Sequence, residues 1–374
     1  MSKLAKALSA SAGNAGGGSL YVEDVFSTFL YDGTASAITV NNGIDLSGEG
    51  GLTWLKSRSL AEGHILVDTI HGAGTGLISS GTNALFTLTD GLTAFNSNGF
   101  TLGTSNIINT NASTNVSWTF RKAEKFFDVV TYTGNGVAGR SVPHDLNGTV
   151  GFAVVKRLDA ITNWEAQHVS VDLTANKGLY LNTTAYLKTH NNVWNSTHAT
   201  STNLILGDHG QVNAVGGSYV AYLWASDAGG YGDDEDENIV KCGTYTGNGG
   251  SSVNSVTVGF EPQWILVKNV TAAGSWAMYD TMRGWAVSAS SSDDARLFAN
   301  SNGAESLGDA FNPTATGFEF QSGNATWNNS GNDFIYMAIR RPMKTPTAGT
   351  EVFTVDTRGS TGDGVNPTYR SAWP

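Results

Sequence analysis

Carboxylates are the first residues that could do chemistry here. A retaining glycosidase places two of them ~5–5.5 Å apart, one as nucleophile and one as acid/base, which on one strand means alternate positions facing the same way. No Glu-x-Asp-x-Glu strand occurs. Glu49, Glu62, Glu165, Glu261, Glu305 and Glu319 stand singly, and Asp233-Asp234-Glu235-Asp236-Glu237 falls in a Gly-rich connector. Such a run of like charges reads as solvated linker, and it lacks the spaced ligands and glycine turn of a calcium loop. His64, His71, His144, His168, His190, His198 and His209 form no His-Glu-x-x-His pair, and no Gly-x-Ser-x-Gly elbow accompanies them. Cys242 is the only cysteine. It reads as a small buried hydrophobe, and an internal disulfide or a Cys-rich zinc cage is excluded. Gly72-Ala73-Gly74-Thr75-Gly76 has no Gly-Lys-Ser/Thr ending and reads as a hairpin turn. The expectation is a protein without catalytic residues, metal ligands or cofactor.

Sugar binding needs aromatic faces and amide side chains, and the chain is rich in both. Trp164, Trp194, Trp276 and Trp285 lie outside the strands that close the repeats and are the glycan-binding candidates. The competing reading is core: Ser275 to Asp280 alternates like a strand, and tryptophan in small sandwiches mostly fills interiors.

These side chains need a scaffold, and composition describes it. Charged residues are 14% of 374, glycine numbers 46 and hydrophobic residues reach 40% with ten Trp, against ~25% charged and ~7% Gly in ordinary domains. Turn formers outnumber helix formers, so the fold is read as all-β. A net charge of −11 repels nucleic acid and anionic lipid, and no apolar run reaches the ~18–20 residues of a membrane span. Neither nucleic-acid binding nor membrane insertion is expected, and the start of the chain shows no secretory signal.

Internal repetition carries the most information. Thr-Tyr-Thr-Gly-Asn-Gly occurs at 131–136 and 244–249, with Tyr31-Asp32-Gly33 in the corresponding place near the start. Apolar strands stop on Lys56, Lys156 and Lys268, 100 and 112 residues apart, while Tyr31, Tyr132 and Tyr245 are 101 and 113 apart. Val116 to Phe120, Tyr219 to Trp224 and Phe334 to Ile339 close the units. A period this long is the size of a complete β-sandwich, so each unit is expected to own a separate core. The strand before each lysine is apolar on both faces and is placed centrally, its lysine emerging at the edge.

The resulting division is an arm at 1–20, sandwiches at 21–126, 127–238 (divergent) and 239–345, and at 346–374 the start of a further unit or an extension, which suggests that the natural chain continues beyond Pro374. Leu4 and Leu8, at i and i+4, could form two turns of amphipathic helix and dock on a partner; the alternative is a disordered terminus.

The phrases Tyr-Thr-Gly-Asn-Gly, Gly259-Phe260-Glu261-Pro262-Gln263-Trp264-Ile265-Leu266-Val267-Lys268-Asn269 and Asn96-Ser97-Asn98-Gly99-Phe100-Thr101-Leu102-Gly103 resemble the tandem repeats of virion proteins of marine phages, including those of cyanobacteria. The resemblance covers units one and three well. Unit two lacks the Pro, the Trp and the Asn-Gly-Phe phrase. It implies tandem antiparallel jelly-roll units similar to concanavalin-A-like lectins and a non-enzymatic virion protein, a tail fibre or tail appendage that contributes to host attachment. The implied partners are other virion proteins (tail tube, nozzle or adaptor, or capsid), host surface polysaccharide and two further copies of the chain in a homotrimer. The alternatives are a lectin-like adhesin, a capsid decoration protein and, behind these, a polysaccharide depolymerase. The family carries no settled catalytic residues.

Overall fold

The computed structural model describes residues 19–189, 192–287, 294–308, 311–323 and 325–346. Leu4, Leu8 and the segment 347–374 lie outside them.

Three units follow one plan. Each has a six-stranded antiparallel sheet in which an opening strand (Phe26–Asp32, Phe127–Thr133, Val240–Thr246) pairs with the closing strand (Thr114–Arg121, Ser218–Ala225, Asp333–Arg340). The closing strand pairs in turn with the lysine strand (Gly51–Ser57, Val150–Arg157, Pro262–Asn269). A fourth strand follows (Ile65–Asp68, Trp164–His168, Trp276–Asp280), then a fifth (Thr75–Ile78, Lys177–Tyr180, Ala295–Phe298) and a two-residue sixth. A smaller sheet covers the outside of each. It has three strands in the first unit (Ile38–Asn41, Gly99–Leu102, Leu92–Asn96) and in the third (Asn254–Thr257, Gly317–Phe320, Asn312–Thr314), and two in the second (Arg140–Pro143, Asn203–Leu206). The protein is thus all-β and built from antiparallel sandwiches.

Separate cores are the expectation that fails. Side chains alternate across a strand, so Leu52, Trp54 and Lys56 point to one face while Thr53 and Leu55 point to the other. The outer faces make local cores, such as Tyr31, Leu55, Phe100 and Leu102 in unit one and Tyr245, Val267, Phe311 and Phe318 in unit three. The inner faces of all three large sheets meet. A single buried cluster joins Trp54, Trp118 and Phe120 of the first unit to Phe152, Tyr222 and Trp224 of the second and to Trp264, Met278 and Met337 of the third. Phe120 touches rings of the other two units, with centroids 5.5 Å from Trp224 and 6.1 Å from Trp264. With each six-stranded sheet covered on both sides, the lysine strands are buried at nearly every position, which is why they read as unbroken apolar runs.

The registers define two poles. Phe26, Leu52, Phe120 and Asp68 share one end of the first sheet, and Asp32, Thr114 and Ser57 the other. Each unit begins and ends at the first of these, the linker pole, where the chain crosses between units. The opposite, loop pole carries connections within units, among them the short helix Gly210–Asn213.

Candidate functional site

The recurring tyrosine phrase is a structural clasp. Tyr31, Tyr132 and Tyr245 donate their hydroxyls to the carbonyls of Ile108, Val212 and Trp327 at 2.8, 2.7 and 2.7 Å. The residue after each acceptor is a fully buried asparagine, Asn109, Asn213 or Asn328. Its Oδ1 accepts the backbone N–H of Thr34, Asn135 or Asn248 just beyond the glycine of the phrase. A Cβ on Gly33, Gly134 or Gly247 would collide with the carbonyl of Thr110, Ala214 or Asn329, which accounts for glycine there by close approach. Asn213→Ala orphans the Asn135 amide and the two carbonyls of Val137 and Gly207 to which Nδ2 donates. It should cost at least ~2 kcal/mol in urea unfolding. Asn213→Asp should cost more, because it turns a buried carboxylate toward both carbonyls.

The lysines do not emerge at the edge. Lys56, Lys156 and Lys268 are fully buried, since their position has inner-face parity. Lys56 Nζ donates to the Ser57 and Leu60 carbonyls at 2.6 and 3.0 Å, and Lys156 Nζ to the Arg157 carbonyl at 2.8 Å and the Thr162 hydroxyl at 3.1 Å. Lys268 Nζ reaches the Gly274 carbonyl and, across to the second unit, that of Thr184 at 3.1 Å. Burial lowers the first two to about 8 and Lys268 to about 7. Glu62 and Glu305 oppose the shift at Lys56 and Asp159 opposes it at Lys156.

Twelve residues after each lysine comes a residue that ties its unit to the next. Asp68 accepts the Tyr222 hydroxyl at 2.7 Å; His168 Nε2 lies 2.9 Å from the Tyr336 carbonyl; Asp280 accepts Trp118 Nε1–H at 3.0 Å. First holds second, second holds third, third holds first. Eight residues after the lysine a second set repeats the cycle. Trp164 Nε1–H donates to the Ile78 carbonyl and Trp276 Nε1–H to that of Tyr180, both at 2.9 Å. The third place is taken by His64, whose Nδ1 accepts Trp54 Nε1–H at 2.9 Å and whose buried Nε2 makes no hydrogen bond. Backbone bonds complete the seams: Leu85 N–H to the Leu158 carbonyl, Leu187 N–H to that of Val270 and Glu305 N–H to that of Arg58. The molecule is therefore a closed ring of three head-to-tail interfaces inside one chain.

Buried charged groups help to hold that ring at two of its seams. At the first seam His71 Nδ1 lies 2.8 Å from Asp68. Burial pushes that carboxyl up, but the His71 contact and the Tyr222 hydroxyl outweigh it and hold it below its ordinary value. At the third seam Arg283 Nε lies 2.6 Å from Asp280, both side chains fully buried. Glu305 bridges Arg283 at 3.1 Å to Arg58 at 2.6 Å.

The four tryptophans proposed for sugar stacking are corrected by the structure: Trp164, Trp194, Trp276 and Trp285 are all 0–1% exposed. Trp164 and Trp276 occupy inner-face positions of the fourth strand, and Trp285 packs with Tyr279 and Phe311 in the third unit's outer core. None offers a face to a ligand. Among the described residues no group of three or more His, Cys, Asp or Glu gathers as for a metal ion, and no helix is long and apolar enough to cross a membrane. Two surface recesses, of about 530 and 460 Å³, lie side by side on unit three and share Glu261 and Ala315. Cys242 is buried and its thiol is pushed far up by desolvation.

At the linker pole the stretches at 19–25 and 340–346 lie together. Glu23 accepts the Met343 and Lys344 amides at 3.1 and 2.8 Å, Tyr21 donates to Asp233, and Arg340 pairs with Glu237. Asp233 to Glu237 are exposed. The loop pole presents Ile161, Val137 and Val215, each more than half exposed. The inner-face ties escaped sequence reading, although alignment on the lysines would have placed Asp68, His168 and Asp280 in one column.

No curated protein and no solved structure matches the chain. One family model does, over residues 22–342, a span that takes in all three units and every seam between them. The chain belongs to that family, described as a domain of unknown function (DUF7483).

Proposed function

We propose that this chain is a structural protein of a phage virion, of the tail-fibre or appendage type, held to the particle through the segment that precedes residue 20. The observation that carries the reading is the polarity of the ring. The segments before residue 19 and after residue 346 both join the body at the linker pole, where Glu23 holds Met343. The loop pole, with its exposed valines and isoleucine, is free to face outward. A closed ring without a disulfide suits a protein folded in bacterial cytoplasm and then exposed outside it. A structural rather than catalytic role is supported by the use of Asp68, His168, Asp280 and Glu305 as ties between units. Homotrimerisation, implied by the resemblance, would use the outer sheets or the poles, because one chain already covers its own three inner faces.

Deleting residues 1–18 should leave the melting transition and β-sheet circular dichroism unchanged while purified particles lose the protein by immunoblot. Normal incorporation of the trimmed chain would refute the reading. The same polarity serves a capsid decoration protein, and immunogold labelling of the loop pole on intact particles separates the two: gold on the tail supports the appendage, gold over the shell the decoration protein.

A further inference from the structure

We propose that the seam between the second and third units is an acid-labile latch, through which the ring opens while the other two seams stay closed.

The three seams are held by different groups. The first has a carboxylate, Asp68, paired with His71. The third has two, Asp280 and Glu305, bound to Arg283 and Arg58. The second has His168 in the place of Asp68 and Asp280, beside the buried Lys268; its carboxylate, Asp227, pairs with Lys241 in the partly exposed stretch where the chain crosses between the units. Of the titratable groups packed around His168, His198 alone acts on its charge, and none acts on that of Lys268. The other neighbours are the Phe152 ring at 6.2 Å from the imidazole and the Trp276 ring at 5.8 Å from Lys268 Nζ. Acidification therefore adds positive charge to the buried face of this seam, where no carboxylate acts on His168 or Lys268.

Hydrogen bonding sets the direction. His168 Nδ1 accepts the Ser170 N–H at 3.2 Å, so the proton sits on Nε2 and faces the Tyr336 carbonyl. Both nitrogens are satisfied only in the neutral ring. A second proton at Nδ1 would confront the Ser170 N–H and place a charge in the core. Burial lowers His168 from 6.5 to about 4. The stability this group contributes is thus fully present above the unfolded value, near 6.5, and is lost progressively as pH falls toward 4. Lys268, lowered to about 7, is already charged over that range. Asp68 has the opposite sign: held below its ordinary value, it keeps the first seam tied until the pH drops beneath the carboxylate range. His64 is also buried and neutral, its value lowered by burial and by the Lys56 and Arg283 charges, but the seam beside it retains both carboxylates.

The test is hydrogen–deuterium exchange on the full chain from about pH 7.5 to 4.5, corrected for intrinsic exchange. The reporters are amides that donate across seams: Leu187 and Gly274 for the second, Leu85 and Thr162 for the first, Glu305 for the third. Protection at Leu187 and Gly274 should fall at least ~10-fold while the others change less than ~3-fold. His168→Gln, which keeps a donor at the Nε2 position and does not titrate, should remove the difference. Equal loss at all three seams, or retention at the second, overturns the proposal. Should the variant not fold, the comparison of seams in the unaltered chain decides by itself.

Discussion

Phe120→Ala should destabilise the whole ring by ~3–5 kcal/mol, the usual cost of emptying a buried aromatic site. The melting point should fall by roughly 5–10 °C, in a single transition seen alike by probes in all three units. The ring centroid of Phe120 lies 5.1 Å from that of Phe26, 5.7 Å from Phe127 and 5.5 Å from Trp224. With Trp264 also in contact, its removal leaves a void lined by every unit. Sandwiches that fold independently would instead show one shifted transition beside two unchanged ones. Differential scanning calorimetry with a fluorescence probe in each unit distinguishes the outcomes. Phe318→Ala supplies the contrast, because Phe318 belongs to the third unit's outer cluster alone.

Asp280→Ala should be comparably damaging for a different reason. The carboxylate accepts Arg283 Nε–H at 2.6 Å and, across the ring closure, Trp118 Nε1–H at 3.0 Å. Removing it leaves a guanidinium with no exposed surface short of its nearest counter-charge, with only Glu305 at 3.1 Å remaining. Breaking one side of a buried pair costs ~3–5 kcal/mol. The double variant Asp280→Ala/Arg283→Met should recover part of that loss, since it removes the stranded charge as well. Urea unfolding of the four members of the cycle measures this. A double variant no more stable than Asp280→Ala would show that the charge was never the problem.

The repeats were legible because their markers are local. Each tyrosine phrase and each lysine strand occupies fewer than ten consecutive residues, and both mark one period. What joins the repeats was not. Asp68 and Tyr222 are 154 positions apart, and Trp118 and Asp280 are 162; no spacing rule links residues that meet only after three sheets have closed on one another. An apolar run on both faces places the lysine strand inside a sheet, as found, but it cannot say what covers the second face. An apolar run therefore puts the lysine at an edge, whereas it is buried, and Lys268 reaches the Thr184 carbonyl of the preceding unit. The tryptophans misled in the same way, for Trp164 and Trp276 are the apolar donors of two seams. A retrospective signal exists for the asparagines: Asn109, Asn213 and Asn328 each stand five residues before a closing strand.

Because Glu23 grips the Met343 and Lys344 amides, the two flanking segments are stapled side by side before either enters the sheets. A mechanical pull applied between them would run through that staple and leave the shared interior unloaded. Tension would be relieved at a few surface hydrogen bonds, while the aromatic centre stays slack.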